Sequence, residues 1–351
     1  MKKQYTNYHF FLFFSTLSRG IIQIFSLVIL YQKGLTINQI YMFLLLTYLI
    51  GIIVSIITIK TNKKNNLIIS NILYGISIIQ LSQISIKPSS ILLLAIISSY
   101  SNYSYNIIKH YYTLNILNTS IKENRIITIN YIAIITSYLI GSTLLDNFST
   151  YITSIIVLIL SLISTIPILK YRKKEQVTKI KLIKLNKNKL IFSILEQFKI
   201  IFIELQPLFI YLYIKKTYTY IGVFNIIMNI SSLIIINSLY KKNNHPKRIA
   251  TILGIILFLK LNIKNNYLLL LIAVLEGIYI KLYEIISLKN LYSNTTKEIN
   301  NYLLTEELIF LLSKVIIITI TILLNLELNT ALTIYIVGII LSGLYLKNNS
   351  T

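Results

Sequence analysis

The sequence has 351 residues, of which 55% are hydrophobic and 13% are charged, and its formal net charge is +23. A soluble domain of this length carries more charge, so the composition excludes an ordinary soluble protein and indicates a polytopic membrane protein. The chain has no Cys, and its three His are far apart in sequence, so we predict no metal site and no cofactor.

Runs of about 20 mostly apolar residues, the length that crosses a bilayer as a helix, occur throughout the chain. They are continuously apolar rather than alternating, which predicts an all-α protein and not a β-barrel. The predicted spans lie at roughly 8–30, 40–59, 67–84, 91–108, 127–145, 150–169, 190–214, 221–240, 248–263, 267–288, 302–324 and 328–346. The first run is too long for the apolar core of a signal peptide, so we interpret it as a retained helix. The ninth is short and contains Lys260, so we expect it to be tilted or re-entrant.

The distribution of Lys and Arg predicts the orientation of the chain. With a cytoplasmic N-terminus, 24 of these residues fall in inside segments and 5 in outside segments. This asymmetry predicts a multi-pass protein of the cytoplasmic membrane with both termini inside. It also accounts for the high net charge, so we expect the lipid bilayer as a partner and no nucleic acid.

The chain is predicted to consist of two similar halves. The quartet KKNN occurs at 63–66 and 241–244, after the second and the eighth span, which indicates a duplicated six-helix unit. A basic segment at 171–189 separates the halves, either as a solvated linker or as an amphipathic segment on the membrane surface. We therefore predict a six-helix bundle at 1–170, a cytoplasmic linker, and a second six-helix bundle at 190–351, in a monomer.

Further stretches add to this plan: KGLTINQI at 33–40 before the second span, a basic turn after that span, and NNYLLTEELIFLLSKV at 300–315 leading to the eleventh. Together with the 6+6 arrangement, they resemble the major facilitator superfamily (MFS) over nearly the whole chain. The resemblance implies transport by rocking of the two bundles, with helices one, four, seven and ten lining the path. The sequence departs from the family where the turn TIKTNKKNN at 58–66 has no acid and no glycine. In SYLIGSTLL at 137–145, one Gly and no Pro stand where the family has a glycine-proline signature.

Charged residues within the predicted spans give the candidate site. Glu196 and Lys199 are one helical turn apart, as are Lys281 and Glu284, so each pair can neutralise itself. Arg19, Glu204 and Glu276 have no opposite charge one turn away, and a charge at mid-bilayer costs about 2.5–3.5 kcal/mol without a partner or water. We therefore expect Arg19 to pair with one of these two acids across the halves.

Two further groups of residues complete this interpretation. Span four is the most polar, with SSYSNYSYN at 98–106. Glu306 and Glu307 lie near the cytoplasmic end of span eleven, where we expect them to face water. Glu307 also shares a helical face with Lys314. The unexplained polarity falls on spans one, four, seven and ten, the helices that the resemblance places around the path. The predicted substrate-binding or coupling residues are Arg19, Asn102, Asn106, Glu196, Glu204, Glu276, Lys281 and Glu284.

The function predicted from these features is secondary active transport of a small solute, with proton coupling through Glu204 or Glu276 as a hypothesis. Burial favours the neutral form of a carboxylic acid, which is what proton coupling needs. The sequence has no phosphate-binding loop of the G-x-x-x-x-G-K-[ST] type and no nucleophile–base pattern, so we expect neither ATP hydrolysis nor an enzyme. The alternatives are a flippase for lipid-linked saccharides or another envelope-polysaccharide membrane protein, a proton-conducting subunit of a respiratory complex, and a degenerate copy with little activity.

Overall fold

The computed structural model describes residues 2–61, 63–116, 120–169, 182–183, 186–239, 245–292 and 299–345. These residues form thirteen helices and no strand, which confirms the all-α prediction for the described part of the chain. The helices are α1 Lys2–Gln23, α2 Ser26–Gln32, α3 Ile37–Lys60, α4 Lys63–Ser82, α5 Pro88–Ile116, α6 Ser120–Asn147, α7 Thr150–Leu169, α8 Lys187–Tyr213, α9 Tyr218–Leu239, α10 Pro246–Asn262, α11 Asn266–Tyr292, α12 Ile299–Leu323 and α13 Leu328–Tyr345.

The first predicted span is broken into α1 and α2, so the prediction of one continuous helix at 8–30 was wrong at residues 24 and 25. At the break, the Phe25 N–H donates to the Ile22 carbonyl (2.8 Å), a tighter turn than an α-helix makes. The Ser26 hydroxyl donates to the Gln23 carbonyl (2.8 Å) and competes there with the backbone. The remaining spans correspond one to one with α3 to α13.

Several helix boundaries differ from the predicted spans in ways that affect the site. Helix α5 continues to Ile116, well beyond the predicted end at 108, so Lys109 lies in a helix and not in a loop. Helix α8 begins at Lys187, inside the predicted linker, because the Asn186 side chain caps it. Helix α10 is a regular helix of 17 residues, in which Lys260 is fully buried. The rest of the linker lies almost entirely outside the described residues, so its two interpretations and the exact boundaries of the halves stay predictions.

The pattern of helix contacts repeats after six spans. In the first half α1 packs on α6 and α7, α3 packs on α5, and α4 packs on α5 and α7; in the second half α8 packs on α12 and α13, α9 packs on α11, and α10 packs on α11 and α13. The two groups meet where α3 packs on α12 and where α6 packs on α9. A shift of six spans replaces α3 by α9 and α6 by α12, so it converts each of these two contacts into the other. This correspondence supports the duplication more directly than the KKNN quartets do. The second quartet lies outside the described residues, and the first forms the opening turn of α4.

Close helix crossings use the few glycines together with serines. A Cβ atom at Gly141 in α6 would collide with the Ile21 backbone in α1, and one at Gly277 in α11 would collide with the Met228 backbone in α9. At the latter crossing the Ser232 hydroxyl donates to the Gly277 carbonyl (2.8 Å). Small residues therefore let these helices approach each other as small-residue motifs do in other membrane proteins.

Seven helical segments within the described ranges are long and apolar enough to cross a membrane by length and composition. They are α1 with α2, α3, α5, α6, α7, α9 and α13. Most of the other helices are more polar because they carry buried charged residues. Two charged residues of these helices, Glu204 and Glu284, line a cavity between the helices.

Candidate solute-binding cavity

A cavity of about 500 Å³ lies between the two groups of helices. Its walls come from α1 to α6 on one side and from α8, α9 and α11 on the other. Five of the eight predicted site residues line this cavity: Arg19, Asn102, Asn106, Glu204 and Glu284. The other three, Glu196, Glu276 and Lys281, do not.

Arg19 in α1 is held by neutral groups of the first half. Its Nη1 donates to the Asn102 Oδ1 (3.0 Å), and its Nη2 donates to the Asn71 Oδ1 (3.3 Å) and the Ser101 carbonyl (3.1 Å). The guanidinium also stacks on Tyr105, with its Cζ 3.8 Å from the ring centre. The expected pairing of Arg19 with Glu204 or Glu276 was wrong, because each of these acids pairs with a lysine of its own half.

Helix α5 presents a polar stripe to the cavity. Asn102, Asn106 and Lys109 follow one another at spacings of four and three residues, which places them on one helical face. Lys109 donates weakly to the Asn130 Oδ1 of α6 (3.4 Å), and Thr16 of α1 donates to the same oxygen (2.9 Å). Sequence reasoning missed Lys109 because span four was ended at 108, although its spacing from Asn102 was a usable signal.

Glu204 in α8 joins both groups of helices. Its Oε1 accepts from the Lys314 Nζ of α12 (2.7 Å), and its Oε2 accepts a hydrogen bond from the Tyr48 hydroxyl of α3. Lys314 in addition lies over the Tyr48 ring, 4.8 Å from its centre. Lys314 therefore pairs with Glu204 rather than with Glu307, the residue on its own helical face. Tyr48 was not predicted, since nothing in an apolar stretch of α3 marks one tyrosine as facing a carboxylate.

Glu284 in α11 forms the predicted pair with Lys281 (3.2 Å) and faces the cavity, with 36% of its side chain exposed. Lys281 is buried behind it and lies over the Tyr131 ring of α6, 5.0 Å from the ring centre. This contact again connects the two groups of helices. Lys281 thus takes part in the site through Glu284 rather than by lining the cavity.

Glu276 does not belong to the cavity. Both of its carboxylate oxygens accept from the Lys260 Nζ (2.8 and 2.9 Å), and both side chains are 0% exposed. The rings of Phe202 and Phe224 cover the ammonium group at 4.7 and 5.6 Å. The pair is a sealed ionic contact between α10 and α11, and it explains why Lys260 is tolerated in a short apolar helix.

Two further acids, Glu196 in α8 and Glu306 in α12, are buried toward the N-terminal end of α8. Glu196 pairs with Lys199 as predicted (3.4 Å) and also accepts from the Ser287 hydroxyl (2.5 Å). Glu306 pairs with Lys189 (3.2 Å) and is buried, so the expectation that it faces water was wrong. Its partner could not be recognised from the sequence because Lys189 had been assigned to the linker. Glu307 is half-buried.

Two solved structures resemble this architecture over almost their full length. The nucleoside transporter NupG, as a point variant, superposes with a TM-score of 0.66 at 14% identity, covering 97% of this chain and 96% of that one. The human organic anion transporter MFSD10 (TETRAN) superposes with a TM-score of 0.70 at 9% identity, covering 99% of each chain.

The fold is that of MFS-type transporters. The prediction of an all-α polytopic membrane protein of this fold is therefore confirmed. No protein-family model matches the sequence, and no curated protein matches it. At 14% and 9% identity the two structures establish the fold alone, and the cavity residues carry the functional argument.

Proposed function

We propose that the protein is a secondary transporter that moves a small solute across the cytoplasmic membrane through the cavity between its two groups of helices. The observation that carries this proposal is the cavity itself, about 500 Å³ in volume, lined by both groups and containing charged side chains of each. A space of this size suits a small molecule, and a site between repeats is where alternating access requires it. The likeness to two transporters supports the same conclusion.

The connections across the cavity are suited to a rocking motion. Tyr48 to Glu204 and Tyr131 to Lys281 each join one group of helices to the other through side chains. Side-chain contacts of this kind can break and re-form without unfolding either group. Movement would then expose the same cavity alternately to the two sides of the membrane.

We assign proton coupling, if the transporter uses it, to Glu204 or Glu284 and not to Glu276. The first two line the cavity, whereas Glu276 is sealed against Lys260. Protonation of Glu204 would weaken its ion pair with Lys314 and so loosen a contact at the interface. A cavity acid with such a partner is a reasonable coupling element because it can be reached from the cavity and also contacts the other group of helices.

The test is a solute screen with the purified protein in liposomes, with and without an imposed pH gradient. We expect uptake of at least one solute class, and an increase when the gradient is applied. In Glu204→Gln or Glu284→Gln the gradient should lose its effect while solute exchange at equal pH continues. Coupling that is unchanged in both variants would remove the proton hypothesis, and no uptake of any solute would count against the transporter.

The fold argues against two of the alternatives considered from the sequence. A saccharide flippase was expected to have fourteen spans or a ring of bases around its cavity, whereas the described helices correspond to the twelve predicted spans, and the cavity is lined by the two acids Glu204 and Glu284 as well as by Arg19 and Lys109. A respiratory subunit would need a partner complex, which co-purification would reveal. Neither alternative has an observation that favours it over the transporter.

A further inference from the structure

The charges that line the cavity are unevenly distributed between its two walls. On the second-half wall each acid has its own lysine, Glu204 with Lys314 and Glu284 with Lys281. On the first-half wall Arg19 and Lys109 have no acidic partner among the described residues. The cavity therefore carries an excess of positive charge on one wall.

Arg19 has hydrogen-bonding capacity that the protein does not use. A guanidinium has five N–H donors, and the described bonds of Arg19 to Asn102, Asn71 and Ser101 occupy three. Only 5% of the residue is exposed, and its Nε is buried and has no hydrogen-bond partner among the described residues. A buried charged donor without an acceptor is unfavourable, which points to an acceptor supplied from outside the chain.

The neighbouring stripe on α5 adds donors of the same kind. Asn106 is exposed in the cavity and Asn102 is half-buried, and neither amide nitrogen donates a hydrogen bond in the described contacts. Lys109 lies at the end of the stripe, with its Nζ 5.7 Å from the centre of the Tyr105 ring on which Arg19 stacks. The two cations thus lie near a single tyrosine, with two amides beside them.

We propose that Arg19 and the α5 stripe of Asn102, Asn106 and Lys109 bind the anionic group, a carboxylate or a phosphate, of a small organic solute. This inference rests on the proposed function, since it names the class of solute that the cavity takes. Charge-assisted hydrogen bonds from a guanidinium and an ammonium group suit either anion, and no carboxylate lies on that wall to compete. The tyrosine rings around Arg19 hold the cation in place while the anion is absent.

A purely structural role for Arg19, as a bridge between α1, α4 and α5, makes a different prediction. Such a bridge would affect stability but not the choice between anionic and neutral ligands. The experiment therefore compares four probes of similar shape: benzoate, phenyl phosphate, benzamide and benzylamine. Thermal unfolding of the purified protein in detergent is followed at constant ionic strength as each probe is added.

We expect benzoate, phenyl phosphate or both to raise the unfolding temperature with increasing concentration, and benzamide and benzylamine to leave it unchanged. Arg19→Gln should abolish the anion effect, and Lys109→Gln should weaken apparent affinity on the order of tenfold. The matched control is Lys264→Gln, which removes an exposed lysine between α10 and α11 and should preserve the effect. Equal shifts with all four probes, or an anion effect that persists in both cavity variants, would overturn the inference.

A third variant keeps the test decisive if Arg19→Gln does not fold. Asn106 is exposed, so Asn106→Asp should fold while placing a repelling carboxylate in the stripe, and anion binding should be lost. Anion binding that is unchanged in Asn106→Asp and in Lys109→Gln would overturn the proposal. Anion binding without uptake of any solute into liposomes would contradict the transporter but support the anion site. Uptake of neutral or cationic solutes without anion binding would support the transporter but contradict the anion site.

Discussion

Lys260 and Glu276 show what a charged pair costs when no water reaches it. Both side chains are fully buried between α10 and α11, and the carboxylate accepts from the ammonium group through both oxygens. Lys281 and Glu284 form a pair of the same chemistry at the cavity, where the acid is 36% exposed. Water can replace a missing partner in the second pair but not in the first.

The two pairs should therefore respond differently to loss of the acid. Glu276→Leu leaves Lys260 buried without its counter-ion, and we expect it to lower the free energy of unfolding by about 3–5 kcal/mol. The double variant Lys260→Met with Glu276→Leu should recover most of this loss, because apolar side chains can replace a buried pair. Chemical or thermal unfolding in detergent measures both variants.

The control for this prediction is Glu284→Gln, which should cost no more than about 1 kcal/mol because its pair is partly solvated. If Glu276→Leu were as mild as Glu284→Gln, the sealed pair would not have the structural role assigned to it. If the double variant stayed as unstable as the single one, a role for the ions beyond mutual neutralisation would be required.

At the scale of helices, the crossing of α1 and α6 depends on Gly141. A Cβ at this position would meet the Ile21 carbonyl, carbon and Cα, and backbone atoms cannot rotate aside. A Cβ at Gly254 in α10 would instead meet Cγ1 and Cδ1 of the Ile340 side chain, atoms that can shift more readily than backbone. The two glycines thus differ in whether the neighbouring helix can adapt.

We expect Gly141→Ala to destabilise the protein by about 1–3 kcal/mol, because α1 must move away from α6. Gly254→Ala should be much milder, since the gain in helix propensity offsets the small rearrangement of Ile340. Unfolding temperatures of the two purified variants, compared with the unmodified protein, measure the difference. Similar losses in both variants would contradict the close crossing.

Helix number and position were largely predictable from the sequence because apolar length alone reports a membrane span. The break at Phe25 was not, because the apolar run continues on both sides of it and nothing in the run marks the tighter turn from Phe25 to the Ile22 carbonyl. Ion pairs one turn apart, such as Glu196 with Lys199, were predictable because helical spacing fixes them. Pairs between helices, such as Glu204 with Lys314, were not, because one sequence gives no distance between two spans.

For the whole molecule, the proposed transport requires that the solute pass through the cavity. The six-span repeat of helix contacts divides the described helices into two similar groups, and the cavity lies between them. Helix α5 has both a residue that lines the cavity and a residue on its outer surface, so the two positions can be compared directly. Ser98 lines the cavity, whereas Ile96, two positions earlier, is exposed on the outside of the helix group at 44%.

The most direct measurement uses the natural lack of cysteine in this chain. Ser98→Cys and Ile96→Cys are each placed in liposomes and treated with a bulky, charged, thiol-specific reagent whose bond can be reduced. We predict that modification of Ser98→Cys stops solute uptake and that reduction restores it, whereas treatment of Ile96→Cys leaves uptake unchanged. Full uptake by the modified Ser98→Cys protein would contradict the account, because the solute would then cross the membrane by another route.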